Sequence, residues 1–205
     1  MKRAILPSKK TSRSIWAKIR AKHRGWVFTP REFAAIGSRA AIDQALSRLQ
    51  RAGKIRRLAR GIYEYPRVHP KIGVLSPTPE SVARAMAART GSRFIVSGSS
   101  ALNLLGLSTQ VPIQNLFLTE GPSKTVQIGK QTVTLKHAAP SKLLGAGTRA
   151  GTILQAVRSY GHKRAREIPV KLLAERIPAE VKSELSRLAP LAPSWSQPVL
   201  QQIAG

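Results

Sequence analysis

The stretch from Trp26 to Pro66 constrains this chain most, because its apolar period changes partway and turn-forming residues stand at each change. Ile42, Ala45, Leu46 and Leu49 recur at helical spacing and form one apolar stripe. Ser38 before them is a good N-cap, and Gly53 after them stands where a helix C-terminus takes a left-handed residue. The opposite face carries Ala40, Gln44, Ser47, Arg48 and Arg51. A helix that only covers a core needs the first face. The second is small, polar and cationic, which suits a helix laid into a major groove. Next, Ile55, Leu58, Ile62, Tyr63 and Tyr65 flank Arg60-Gly61, a pattern that predicts two short strands with Arg56, Arg57 and Arg60 near the tip. Read alone, the helix would be a solvated amphipathic surface helix, as most cationic helices are. The basic hairpin after it shifts the reading to a winged helix-turn-helix.

The rest of the chain organises around that piece. Residues 1–13 are a basic, aperiodic arm expected to be disordered when free. Ser14 to His23 reads as a first helix with Ile15, Trp16 and Ile19 on its inner side. Thr29-Pro30 opens a second helix, Thr as N-cap and Pro at the first helical position. The DNA-binding domain is thus expected over 14–66. Residues 67–77, rich in Pro and Gly, read as a linker. A mixed α/β domain follows over 78–190, with a helix from Thr78, a brief strand at Phe94–Ser97, a helix at 99–105 and strands at 116–120, 125–128 and 132–136. Helices at 152–160 and 178–188 complete it, and 191–205 is a tail without regular pattern. The fold class expected is α+β, an N-terminal winged helix-turn-helix followed by a mixed α/β domain.

Charge narrows the partners. The chain of 205 residues has 35 Lys or Arg against 9 Asp or Glu, a formal +26. Residues 1–70 hold 18 of those bases and three of the acids, so the first third carries more than half the excess. A field of that sign concentrates polyanions. Nucleic acid is the first candidate and an anionic membrane surface the second. No run of 18 apolar residues and no signal-like apolar core supports a membrane role. The absence of Cys rules out disulfides and thiolate metal sites and fits a cytoplasmic protein.

Catalytic chemistry finds little to build on. Asp43 is the only aspartate, and the eight glutamates are scattered. Paired carboxylates for acid–base work or Mg²⁺ binding need two or three that converge. His23, His69, His137 and His162 are isolated, so no metal site and no cofactor are expected. Ser97-Gly-Ser-Ser100 follows a strand and opens a helix, yet it lacks the second glycine of a nucleophile elbow. A nucleotidyltransferase would need paired acids on the next strand, where only Glu120 stands. A helix N-terminus there offers free N–H groups to an anion, but a tight turn that needs small residues explains the sequence as well. The protein is not expected to be an enzyme.

With these residues assembled, the chain resembles the AbiEi-like antitoxins of type IV toxin–antitoxin systems. The resemblance rests on Gly25-Trp-Val-Phe-Thr-Pro30, Ser38-Arg-Ala-Ala-Ile-Asp-Gln-Ala-Leu46, Arg56-Arg57 with Arg60-Gly-Ile-Tyr-Glu-Tyr-Pro66, and Ser97-Gly-Ser-Ser-Ala-Leu-Asn-Leu-Leu-Gly-Leu107. It spans roughly residues 12–165. It implies an antitoxin that represses its own operon through the winged helix and counters a nucleotidyltransferase-like toxin, without a tight complex between the two. The expected partners are duplex DNA at its own promoter and a toxin protein; the sequence sets no oligomeric state. On DNA, Gln44, Ser47 and Arg48 would read bases, Arg39 and Arg51 would hold flanking phosphates, and Arg56, Arg57 and Arg60 would lie on the backbone or in a minor groove. The rival readings are a plain winged-helix regulator without a toxin, a protein-neutralising module whose DNA binding is incidental, and an RNA-binding basic protein. The last lacks a sheet with surface aromatics placed to stack bases.

Overall fold

A computed structural model describes residues 8–108 and 115–205. The fold is α+β, and the chain divides into two compact units: residues 1–91 with 126–131, and residues 92–125 with 132–205.

The first unit begins with α1 (Ser8–Ala21), β1 (Val27–Phe28) and a single 3-10 turn at Pro30–Phe33, followed by α2 (Arg39–Arg51). Next come β2 (Arg56–Ala59) and β3 (Ile62–Glu64), joined by Arg60-Gly61 with Gly61 at φ 73°. These strands make an antiparallel sheet in the order β1-β3-β2, with Val27 opposite Glu64 and Ala59 opposite Ile62. Ile15 and Ile19 of α1, Ile42, Leu46 and Leu49 of α2, and Phe28, Phe33, Ile55 and Tyr63 share one core. Its aromatic centre is tight: Trp26 stacks on Phe28 at 4.6 Å between ring centroids, and Phe28 meets Phe33 edge-on at 5.5 Å.

Several expectations for this unit change. Residues 8–13, read as part of a disordered arm, are the first turns of α1, and Thr11 is fully buried there. Residues 1–7 of that arm lie outside the described residues. The second helix shrinks to one 3-10 turn, because Gly37 and the Ser38 cap follow Phe33 too soon for a longer one. Residues 67–77, read as a linker, contain the paired strands β4 (Val68–His69) and β5 (Gly73–Val74). After them, α3 (Pro79–Ala88) starts at Thr78, whose hydroxyl accepts from the Ser81 amide at 3.3 Å. Its first-unit membership has a visible anchor: the Arg31 guanidinium donates to the carbonyls of Ala88 (3.3 Å) and Arg89 (2.9 Å). A cation at a helix C-terminus satisfies carbonyls that the helix itself cannot.

After residue 91, β6 (Phe94–Val96) leads into α4 (Gly98–Leu104), then β7 (Asn115–Thr119), β8 (Lys124–Ile128) and β9 (Gln131–His137). The sheet order is β6-β7-β9-β8, with β6 and β7 antiparallel and β7 and β9 parallel. The helices are α5 (Arg149–Tyr160), α6 (Val170–Arg176), α7 (Ala179–Leu188) and α8 (Gln197–Ala204). Together they enclose a second core of Ile153, Leu154, Val157, Leu173, Leu185 and Leu200. The segment 191–205, read as a patternless tail, thus supplies a core helix; Leu200 and Ile203 are fully buried. Two prolines and a short apolar stripe hid it. Gly151 in the first turn of α5 has no room for a side chain, since a Cβ there would fall on the Gly145 carbonyl. Glu120, just past β7, is gripped by Arg93, whose Nη2 donates to Oε2 at 3.0 Å and whose amide donates to Oε1 at 2.9 Å. The side-chain hydrogen bond holds that carboxyl below its ordinary range.

A buried carboxylate stands in the first sheet. Glu64 is 1% exposed, and its Oε2 accepts from Arg56 Nη2 at 2.6 Å and Nε at 3.0 Å. The same guanidinium donates to the Leu75 carbonyl at 3.1 Å, tying the sheet to the segment after β5. Removing Arg56 strands a charge that water cannot reach. Arg56→Ala is therefore expected to destabilise the protein by about 2–3 kcal/mol. Arg56→Ala with Glu64→Leu should recover much of that loss in thermal or urea unfolding.

Candidate nucleic-acid interface

The candidate surface is built on α2, and the residues that place it are local. The Ser38 hydroxyl accepts from the Ala41 amide at 3.3 Å, closing the N-terminus. At the other end Gly53, at φ 66°, donates to Gln50 O (3.0 Å) while Lys54 donates to Leu49 O (3.0 Å). That pair of bonds is a Schellman motif, and it needs a left-handed residue where Gly53 stands. Between the caps Ile42, Ala45, Leu46 and Leu49 are buried, which fixes the helix's rotation. Gln44, Ser47, Arg48 and Arg51 consequently face outward and are exposed. Ser47 and Arg51 are neighbours one turn apart, with Oγ and Nη2 separated by 3.5 Å.

The remaining expected residues divide. Arg39 is exposed but paired with Asp43 one turn on, Nε to Oδ2 at 2.8 Å. Its charge is partly balanced, and Asp43 is itself part of the outer face. Arg57 is exposed on β2, its Nε at 3.4 Å from the Ala59 carbonyl, and Arg60 is exposed at the turn. Arg56 departs from expectation: it was placed on the DNA-contacting tip, but its guanidinium is held by Glu64 and the Leu75 carbonyl. The alternation of a strand explains this, since adjacent residues point to opposite faces and only Arg57 shares the exposed one.

Two cations beside α2 escaped the sequence reading. A cleft of about 410 Å³ opens at the N-terminal end of α2, lined by Thr29, Arg31, Gly37, Arg39, Gly61 and Arg89 among others. Three guanidiniums border it and no carboxylate does. Arg89 reaches it from the end of α3 and donates to the Arg60 carbonyl at 3.3 Å, bracing the hairpin turn. No spacing rule brings Arg89 to Arg60, because the hairpin of β4 and β5 and the whole of α3 intervene. Arg24, also unpredicted, caps the sheet by donating to the Pro66 carbonyl at 3.0 Å with its guanidinium 4.9 Å from the Tyr65 ring centroid.

Comparison with known proteins adds a family and a distant structural likeness. No curated protein matches the chain. The crystal structure of the RV2827C protein from Mycobacterium tuberculosis is similar at 18% identity and a TM-score of 0.44, covering 98% of this chain and 83% of that one. Residues 14–185 match the family of unknown function DUF6088. That match takes in both units and most of the chain, and the protein belongs to the DUF6088 family.

Proposed function

We propose that the first unit is a winged helix-turn-helix that binds duplex DNA, and that the protein is an antitoxin-type repressor of its own operon. The observation that carries the DNA reading is the division of α2 into two faces. Its inner face is fully engaged in the core, while Gln44, Ser47, Arg48 and Arg51 stand exposed on a face whose one acid, Asp43, is paired with Arg39. An ordinary solvated helix mixes signs along that face to gain i,i+4 pairs. Here the cations dominate, and the basic turn at Arg60 and the arginine-lined cleft extend the same sign.

In this reading α2 lies in the major groove, Arg48 contacts guanine O6 and N7, and Gln44 contacts adenine N6 and N7. Arg51 and Arg39 hold phosphates on either side, and Arg57 and Arg60 follow the backbone. Arg56 takes no part, being a structural partner of Glu64. The antitoxin assignment is supported by the motifs shared with AbiEi-like antitoxins, and it places the protein's work in the cytoplasm. No helix among the described residues is long and apolar enough to cross a membrane.

DNA affinity should fall steeply with salt as counterions are released. With about six phosphates neutralised, the slope of log affinity against log salt is expected near −5. A slope shallower than about −2 in a fluorescence titration would place binding elsewhere.

Arg48→Ala and Gln44→Ala should each lose about 1–3 kcal/mol of discrimination on the promoter site without unfolding the protein. Arg57→Ala should weaken promoter and scrambled DNA alike. Equal losses on both DNAs for all three variants would refute the assignment of α2.

For the antitoxin role, the full chain should restore growth when produced beside a nucleotidyltransferase-like toxin encoded in the adjacent reading frame. Promoter repression without any rescue of growth would reduce the protein to a plain regulator.

A further inference from the structure

The second unit holds a cleft that DNA binding leaves unused. Its volume is about 910 Å³, within the about 300–1,000 Å³ typical of small-molecule sites. Its polar and basic lining comes from Ser97, Ser99, Ser141, Lys142, Arg158 and Ser159. Leu116, Leu118, Leu191, Pro193 and Trp195 add apolar surface to the same cleft. No Asp or Glu lines it.

Arg158 sets its chemistry. The side chain is half buried, and its Nε and Nη1 are shielded from solvent without a hydrogen-bond partner. Nη2 donates to the Ser141 carbonyl at 3.0 Å, which fixes the guanidinium but supplies no counter-charge. Burial pushes its pKa below the ordinary value, although a guanidinium stays protonated at any physiological pH. A partly desolvated cation without a carboxylate is costly unless an anion completes it. The planar fork of arginine matches a phosphate group better than a halide or a lone carbonyl.

The surroundings are built to hold that group in place. Gln155, buried in α5, donates from Nε2 to the Lys142 carbonyl at 2.7 Å, pinning the backbone that carries Lys142. A Cβ on Gly98 would sit 2.8 Å from Ser159 Cβ and 3.0 Å from Gln155 O, so a bare glycine lets α4 close against α5 behind the serines. Leu191, 69% exposed, and the half-buried Trp195 both line the cleft. Cationic and hydroxyl groups together with an aromatic ring in one acid-free cleft suit a ligand with an anionic end and a planar end.

We propose that this cleft binds a free nucleotide, its phosphate held by Arg158, Lys142 and the serine hydroxyls and its base lying against Trp195 and Leu191.

The test is calorimetric titration of the full-length protein with AMP at 150 mM salt, with adenosine and inorganic phosphate as separate titrants. One AMP per chain is expected, at least about tenfold tighter than either fragment. Lys142→Ala, a change at an exposed side chain, should weaken AMP about tenfold, and Arg158→Gln at least as much. Leu191→Ser should weaken AMP severalfold, while Arg57→Ala in the first unit should leave it unchanged. If Arg158→Gln lowers the melting temperature, Lys142→Ala alone decides the matter. Absence of AMP binding, or wild-type affinity in Lys142→Ala, overturns the proposal. So does an equal loss in Arg57→Ala, which would mean that the nucleotide only coats the basic surface. None of these outcomes bears on promoter binding.

Discussion

With nine carboxylates against 35 basic side chains, the positions of the carboxylates decide which arginines remain to meet a ligand. Glu64 holds Arg56, Asp43 holds Arg39, Glu80 holds Arg84 and Glu120 holds Arg93. Of these pairs, Glu64–Arg56 is the one with a fully buried acid. The exposed pairs are screened and contribute little to stability, whereas the buried one cannot be broken cheaply. Self-repulsion at +26 opposes a compact state, and a polyanion bound as proposed would offset it.

The proposed DNA face depends on that distribution. Arg56 and Arg57 are adjacent in sequence, yet the strand turns one to a buried acid and leaves the other in solvent. On α2 the same selection is made by rotation: four apolar residues set against Ile15, Ile19, Phe28 and Phe33 leave Gln44, Ser47, Arg48 and Arg51 no other direction. The braces from Arg31 to the end of α3 and from Arg89 to Arg60 hold the hairpin turn from behind. A rigid support of this kind lowers the ordering cost of binding.

The second unit shows the opposite arrangement, a cation kept inside without an acid. Arg158 is tolerated because its Nη2 still finds the Ser141 carbonyl, while its side chain forms part of the wall of an acid-free cleft. A purely structural arginine in that position would be expected to satisfy its remaining N–H groups on nearby carbonyls.

Much of the first unit was legible in the sequence because its determinants are short-range. The Ser38 cap, the Gly53 stop and the Arg60-Gly61 turn each act within about five residues, and the apolar period identifies Ile42, Leu46 and Leu49 as inner residues. What tertiary structure alone decided are the long-range matters. Glu64 draws Arg56 out of the expected DNA-contacting set, and α3 joins the first unit through Arg31 and Arg89. The terminal helix α8 closes the second core although prolines obscure its pattern, and Arg158 is brought beside Ser97 and Trp195. Local propensity is encoded in spacing, which a sequence displays directly. The partner of a buried charge is set by which distant surfaces must exclude water together, and no spacing records that.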